Sequence, residues 1–479
     1  MARIVLGTYA FRYPLAGMLS WQLQWAVGFQ RLGHDIVLAE KGWYPNACFD
    51  PVRSVVSDDC SAGIEVVNDL LARHGLDGRW CYADRAGSYF GMDRETIESF
   101  LRSADVFVDL GTHGAWLEEA AAGACVTVLV DGEPGYTQMR RELKKARGER
   151  VPQYDHYYTN GAALPTPAYT GPRSGIAWRS VWNPVVVDLF RNGPPPRGAP
   201  FTTVMNWQAH EPLVYRGVTW RQKDVEFDKF LDLLRRTTAR FDIAVAGNGV
   251  PHETLREAGW ITRSAIETTL SFDAFLDYIT SSAGEFSVCK EAYVALRTGW
   301  FSDRSAVYLA AGRPVVMQDT GFGAHLPVGE GLFAVSSVEE AAGAIDAIES
   351  DRARHAARAR RWRWSTLQRH GSFRVSWQDL GREGWGTSWE LSCPSETDHS
   401  PPATSDHGPG RIGELGHDRG IPLGARDRRR RIHRQPPRGL AHRRGDQDHR
   451  AGRPVHWVGG ARAGDGDLGE GRHRRSAHL

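Results

Sequence analysis

The sequence predicts an α/β protein of two Rossmann-like, doubly wound lobes facing a cleft, followed by a tail that does not read as folded protein. Three observations predict it. Short apolar runs alternate with amphipathic helical patterns over residues 1–192. A glycine- and proline-rich break, Gly-Pro-Pro-Pro-Arg-Gly at 193–198, then interrupts the pattern. A second series of the same kind fills residues 199–365. Alternating βα units require a parallel sheet with helices on both faces, and a Pro/Gly cluster suits a linker rather than a helix or a central strand.

In the first lobe, Ile4, Val5 and Leu6 ending at Gly7 read as a buried strand. Leu19, Leu23, Ala26 and Val27 recur at helical spacing, and Gly33 supplies the stop. Residues 35–39 are the next strand, and Val66, Val67, Leu70 and Leu71 mark a helix closed by Gly75. Strands at 106–108 and 126–130 end in Asp109 and Asp131. The second lobe opens with a strand at 203–206 and a helix at 227–234. A strand at 243–246 is stopped by Gly247-Asn-Gly249, and another follows at 315–317. Ser337 and Glu340 have capping-box spacing before the helix face of Ala341, Ala344, Ile345 and Ile348. Ligands of such sheets bind beyond the carboxyl ends of the strands.

From residue 366 to 479 apolar residues become sparse and aperiodic among Arg, His, Gly, Pro and Asp. This tail reads as a disordered extension or as translation out of frame, because it cannot bury enough apolar area to offset chain entropy. A nucleic-acid-binding tail is the third reading; the basic run lacks interleaved aromatics. The formal net charge of the whole chain is only +2, so no nucleic-acid partner is expected. Six cysteines without a C-x-x-C pair argue against a zinc cluster, and no metal is expected. No run of about 18 apolar residues or signal-peptide pattern occurs, so a cytoplasmic protein, at most peripheral to a membrane, is expected.

The loop after the first strand lacks the G-x-G-x-x-G spacing of a dinucleotide site, so no NAD or FAD cofactor is expected. Tyr13, Pro14 and Gly17 in it suit a wall for an acceptor molecule; a plain βα connection is the alternative. In the second lobe, Gly299 permits a tight turn, Ser302 can cap a helix running to about Ala311, and Gly312 and Pro314 end it. The helix start at Ser302, Asp303 and Arg304 offers free N–H groups and a planar cation to a diphosphate. Asp319 and Thr320 follow the next strand at the same rim.

Gly-Trp-Phe-Ser at 299–302, Leu-Ala-Ala-Gly-Arg-Pro-Val-Val at 309–316, Asp-Thr-Gly-Phe at 319–322 and Gly-Glu-Gly-Leu-Phe at 329–333 together resemble the donor-binding region of GT-B glycosyltransferases. The opening glycine loop, Trp-Gln-Leu-Gln at 21–24 and Leu-Gly-His-Asp at 32–35 resemble their acceptor lobe. The resemblance covers about residues 1–365. It implies transfer of a sugar from a nucleoside-diphosphate sugar to an acceptor hydroxyl of a saccharide, lipid or small molecule, without a metal. The donor would sit in the second lobe and the acceptor in the first. The sequence departs from the retaining members, which carry two glutamates around this turn and helix. Gly299 and Val307 stand there instead, with Glu285 and Asp303 the nearest carboxylates.

On this reading Lys223, Lys290 and Arg304 are candidate phosphate cations, and Glu285 and Asp319 candidate partners of base and ribose. His113 is a candidate general base with Asp109 orienting its ring, and Glu133 is the rival. Each has a plainer role open to it as a turn, cap or surface group. Trp21, Trp25 and Trp300 are candidates for stacking on a sugar. A sugar-nucleotide epimerase and a non-catalytic nucleotide-sugar-binding scaffold are the alternative functions. The residues from Arg352 to Leu367 match the start of a helix that crosses back onto the first lobe.

Overall fold

The computed structural model describes residues 1–123, 125–190 and 193–365, the last four by their backbone alone. The tail expectation at 366–479 lies outside the described residues. Two separate sheets account for the two βα series. The first holds eight strands in the spatial order Arg179–Ser180, His156–Thr159, Val126–Asp131, Val106–Asp109, Arg3–Gly7, Asp35–Lys41, Trp80–Ala83 and Tyr89–Gly91. All pair in parallel except the last, which runs antiparallel to Trp80–Ala83. The second holds six parallel strands, Ile261–Ser264, Phe241–Ala246, Phe201–Asn206, Gly284–Ser287, Val315–Gln318 and Leu332–Val335. These are the two doubly wound lobes that the pattern predicts.

In each sheet the opening strand lies between two later strands, one on either side of it. Arg3–Gly7 sits between Asp35–Lys41 and Val106–Asp109, and Phe201–Asn206 between Phe241–Ala246 and Gly284–Ser287. The loops leaving such a strand and its later neighbour diverge and open a crevice. That geometry brings residues 8–15 beside 110–114 in the first lobe, and 207–223 beside 288–290 in the second.

One apolar core runs through both lobes, and a second, separate one fills the second lobe. Helix Ala16–Arg31 has twelve buried residues, from Ala16 through Phe29, because it touches its own sheet on one side and helices Phe272–Thr280 and Asp303–Ala310 of the other lobe on the other. A helix covered on both sides is apolar nearly all round. A short backbone ladder also crosses between the lobes. Gly161 bridges Trp300, and the amides of Ala162 and Ala163 donate to the carbonyls of Gly299 (3.3 Å) and Thr298 (3.0 Å).

The stretch expected as one helix at 227–234 is instead a short helix, Asp224–Asp228, and a 3-10 turn, Leu231–Arg235. Its buried residues, Phe227, Phe230 and Leu233, recur every third position, the period of the tighter helix. Arg352–Ser365 is helical, and its described side chains Ala356 and Ala359 pack on the second lobe, where Ala359 lies against Gly331. Among the described residues, no helix is long and apolar enough to cross a membrane.

Candidate functional site

The second lobe gathers cations at its crevice. Lys223 ends the 207–223 loop and is 7% exposed. Burial, then the positive charges of Arg304 and Lys290, depress its pKa from 10.5 to about 7, while Cys289 and Glu285 pull the other way. Arg304, at the start of helix Asp303–Ala310, donates from Nε to Glu285 Oε1 (2.6 Å) and from Nη2 to Ser287 Oγ (2.6 Å). Glu285 is fully buried, and its other oxygen has no hydrogen-bond partner among the described residues. Lys290, beyond the end of Gly284–Ser287, reaches across to Glu133 of the first lobe.

Glu133 is the meeting point of the lobes. Its amide donates to Asp131 Oδ1 (2.8 Å), which fixes the turn after Val126–Asp131. Its carboxylate pairs with Lys290, with Arg140 Nη1 (2.6 Å) and with His210 Nε2 (3.5 Å). Burial alone would raise its pKa, but Lys290, Arg140 and His210 outweigh burial and hold it well below the ordinary carboxylate range. An anion so tied is a poor proton acceptor, which weighs against Glu133 as the general base.

His113 has a positive φ of 57° in the loop after Val106–Asp109 and is exposed. Desolvation by the surrounding protein, then Arg12, Lys144 and Arg140, lowers its pKa below the usual imidazole value, against the pull of Asp109. Asp109 does not orient the ring. Its carboxylate accepts from the amides of Gly111 (2.8 Å), Thr112 (2.6 Å) and Gly114 (2.9 Å) and from Tyr154 Oη (2.6 Å). It builds the loop that carries His113, and the direct pairing expected of the two is replaced by this indirect one.

Several other expected roles take a different form. Ser302 sits at the start of the helix but makes no capping bond, and its buried Oγ has no partner among the described residues. Asp303 lies close enough to Tyr9 of the first lobe to raise that phenol's pKa, after burial, and burial raises its own. Asp319 Oδ1 accepts from the amides of Gly321 (2.9 Å) and Gly323 (3.2 Å), and Thr320 Oγ1 donates to the Trp300 carbonyl (2.6 Å). Both shape the turn behind the 299–302 segment. Gly299 serves the ladder between the lobes: its φ is 72°, and a Cβ there would meet Ala163 N at 2.4 Å. Trp21, Trp25 and Trp300 are all buried in the shared core, so their ring faces are used for packing rather than stacking on a ligand.

In the first lobe, Tyr13 Oη lies 2.9 Å from Tyr44 Oη, Pro14 is buried just before helix Ala16–Arg31, and a Cβ on Gly17 would meet open space. The loop they occupy is pinned by Glu40, whose carboxylate accepts from the amides of Phe11 (2.8 Å) and Arg12 (3.0 Å) and from Arg12 Nε (2.7 Å). Glu40, Arg140, His210 and Tyr154 were not singled out in the sequence. A buried glutamate inside the apolar strand at 35–41 is the one signal that could have flagged Glu40; His210 carries no local signal. Among the described residues, no group of three or more His, Cys, Asp or Glu side chains gathers to hold a metal ion.

No family model matches the chain, and no curated protein matches it. Solved structures do. An α-glucosyltransferase in complex with UDP and a 13-mer DNA is 10% identical, with 80% of this chain and 99% of that chain covered and a TM-score of 0.47. Anabaena HepE in complex with UDP-glucose is 12% identical, with 78% and 96% covered and a TM-score of 0.47.

Proposed function

We propose that the chain is a glycosyltransferase that moves a sugar from a nucleoside-diphosphate sugar to an acceptor hydroxyl. The observation that carries the reading is Lys223, a buried lysine placed beside Arg304 and Lys290, whose pKa burial and then those two charges lower to about 7. A site that accumulates positive charge at this cost is built for a polyanion, and a diphosphate supplies one. Ser302 Oγ is a further buried polar atom without a partner among the described residues, and its hydroxyl can donate to a phosphate oxygen.

The roles follow from placement. Lys223 and Arg304 neutralise the diphosphate as the bond from its oxygen to the anomeric carbon breaks. The acceptor oxygen forms the new bond to that carbon, and His113, neutral near pH 7 because its pKa is lowered, takes the hydroxyl proton. Asp109 positions His113 through the loop backbone. The residues 8–15, fixed by Glu40, form the acceptor wall with Tyr13. No metal is required by this scheme.

The test is product analysis of the full chain with UDP-, GDP-, dTDP- and ADP-sugars and a panel of acceptor saccharides and lipids. Transfer with release of one nucleoside diphosphate, lost in His113→Ala and Lys223→Met, is the expected result. Interconversion of the nucleotide sugar without transfer would make the protein an epimerase. Binding without any turnover would make it a scaffold.

A further inference from the structure

Arg140 comes from the first lobe, His210 and Lys290 from the second, and they converge on a single carboxylate, Glu133. The group is not sealed. Side-chain exposures are 33% for Arg140, 21% for His210, 14% for Lys290 and 28% for Glu133, so a solute can reach it. Lys290 also lies 5.6 Å from the ring centre of Tyr136 and 5.8 Å from that of Tyr293, which hold its ammonium in place from two sides. Two permanent cations and an imidazole surrounding one carboxylate are more positive charge than that carboxylate needs. The amide of Glu291, next to Lys290, donates to the carbonyl of Gln222, next to Lys223 (3.4 Å), so the group adjoins the proposed diphosphate site.

We propose that Arg140, His210 and Lys290 form an anion seat spanning the two lobes, and that Glu133 occupies it as a built-in substitute until a phosphate of the ligand displaces it. The inference rests on the proposed function and adds a regulation of that same site. With Glu133 seated, one of the two positive charges of Lys290 and Arg140 is balanced, and this side chain adds a tie between the lobes. An entering phosphate takes over both cations and frees the turn that carries Glu133. Binding is thereby weakened by the internal competitor, and weak or singly charged anions are kept out.

The probe is inorganic pyrophosphate, titrated calorimetrically into the full-length wild type, Glu133→Gln and Lys290→Met. Removing the competing charge should tighten pyrophosphate binding by about threefold to tenfold in Glu133→Gln, whereas Lys290→Met should weaken it. Hydrogen exchange on the wild type gives a second readout that needs no variant. Pyrophosphate should increase exchange at the amides of 132–136 as Glu133 leaves, while protecting 288–290. Unchanged or weaker binding by Glu133→Gln, or protection at 132–136, overturns the inference. The same proteins are titrated with nucleoside diphosphates. A nucleotide that binds wild type and Glu133→Gln equally well would leave the proposed function standing and remove the substitute role, and no binding of any of these anions would remove both.

Discussion

Lys223 allows a prediction whose size comes from the structure. The drop from 10.5 to about 7 means that burial and the charges of Arg304 and Lys290 disfavour its ammonium by about 5 kcal/mol. A bound diphosphate reverses much of that, so the pKa rises in the complex and binding takes up a proton wherever the free lysine is neutral. The sign follows. Below pH 7 the free protein already carries the charge and affinity is flat in pH from this group. Above pH 7 affinity falls by up to about tenfold per pH unit until the pKa of the complex is reached. Titration calorimetry at pH 8 in buffers of different ionisation enthalpy should report uptake approaching about one proton per site. Lys223→Met should bind weakly, with no pH slope between 7 and 9. A flat profile in the wild type, or an unchanged slope in the variant, would refute the reasoning.

Without ligand the same lysine is a burden. Its folded pKa lies below its unfolded value, so the unfolded chain holds more protons between pH 7 and 10.5, and wild-type stability should rise with pH across that window. Lys223→Met should raise ligand-free stability at pH 7 by about 2 kcal/mol, read from urea unfolding. Arg304→Ala strands the fully buried Glu285 carboxylate and should cost about 3–5 kcal/mol, of which the double variant with Glu285→Gln recovers a large part. Gly299→Ala forces a Cβ against Ala163 N at a positive φ and should cost about 2–3 kcal/mol in thermal unfolding by breaking the ladder between the lobes. Asp109→Ala leaves the three loop amides without their acceptor, should cost about 2 kcal/mol, and should impair His113 through its loop.

The frame was legible because its signals are local. Ile4 to Leu6, the 106–108 run and the 315–317 run are apolar stretches bounded by turn residues, and a buried parallel strand requires nothing else. Ser337 is a helix cap at the predicted place, accepting from the amide of Glu340 (3.2 Å). The site was legible only in part. Lys223, Lys290, Arg304 and Glu285, all candidates from the second lobe, lie close enough for the other three to act on the charge of Lys223. What the sequence does not reveal is how each charge is spent. Arg304 is committed to Glu285 and Ser287, Asp109 to loop amides, and Lys290 to a residue 157 positions away. Those pairings depend on which loops the two switch points place side by side. Gly299, expected to permit a tight turn in the donor-binding segment, depends on the same placement. Its positive φ is needed, but for the approach of Ala163 from the other lobe.

The most direct test of the central claim is calorimetric titration of the full chain at pH 7 with UDP, GDP, dTDP and ADP, beside Lys223→Met. Selective binding of one nucleoside diphosphate by the wild type, weakened in the variant, is the predicted result. No binding of any of them by folded protein, or binding unaffected by the loss of Lys223, would contradict the account.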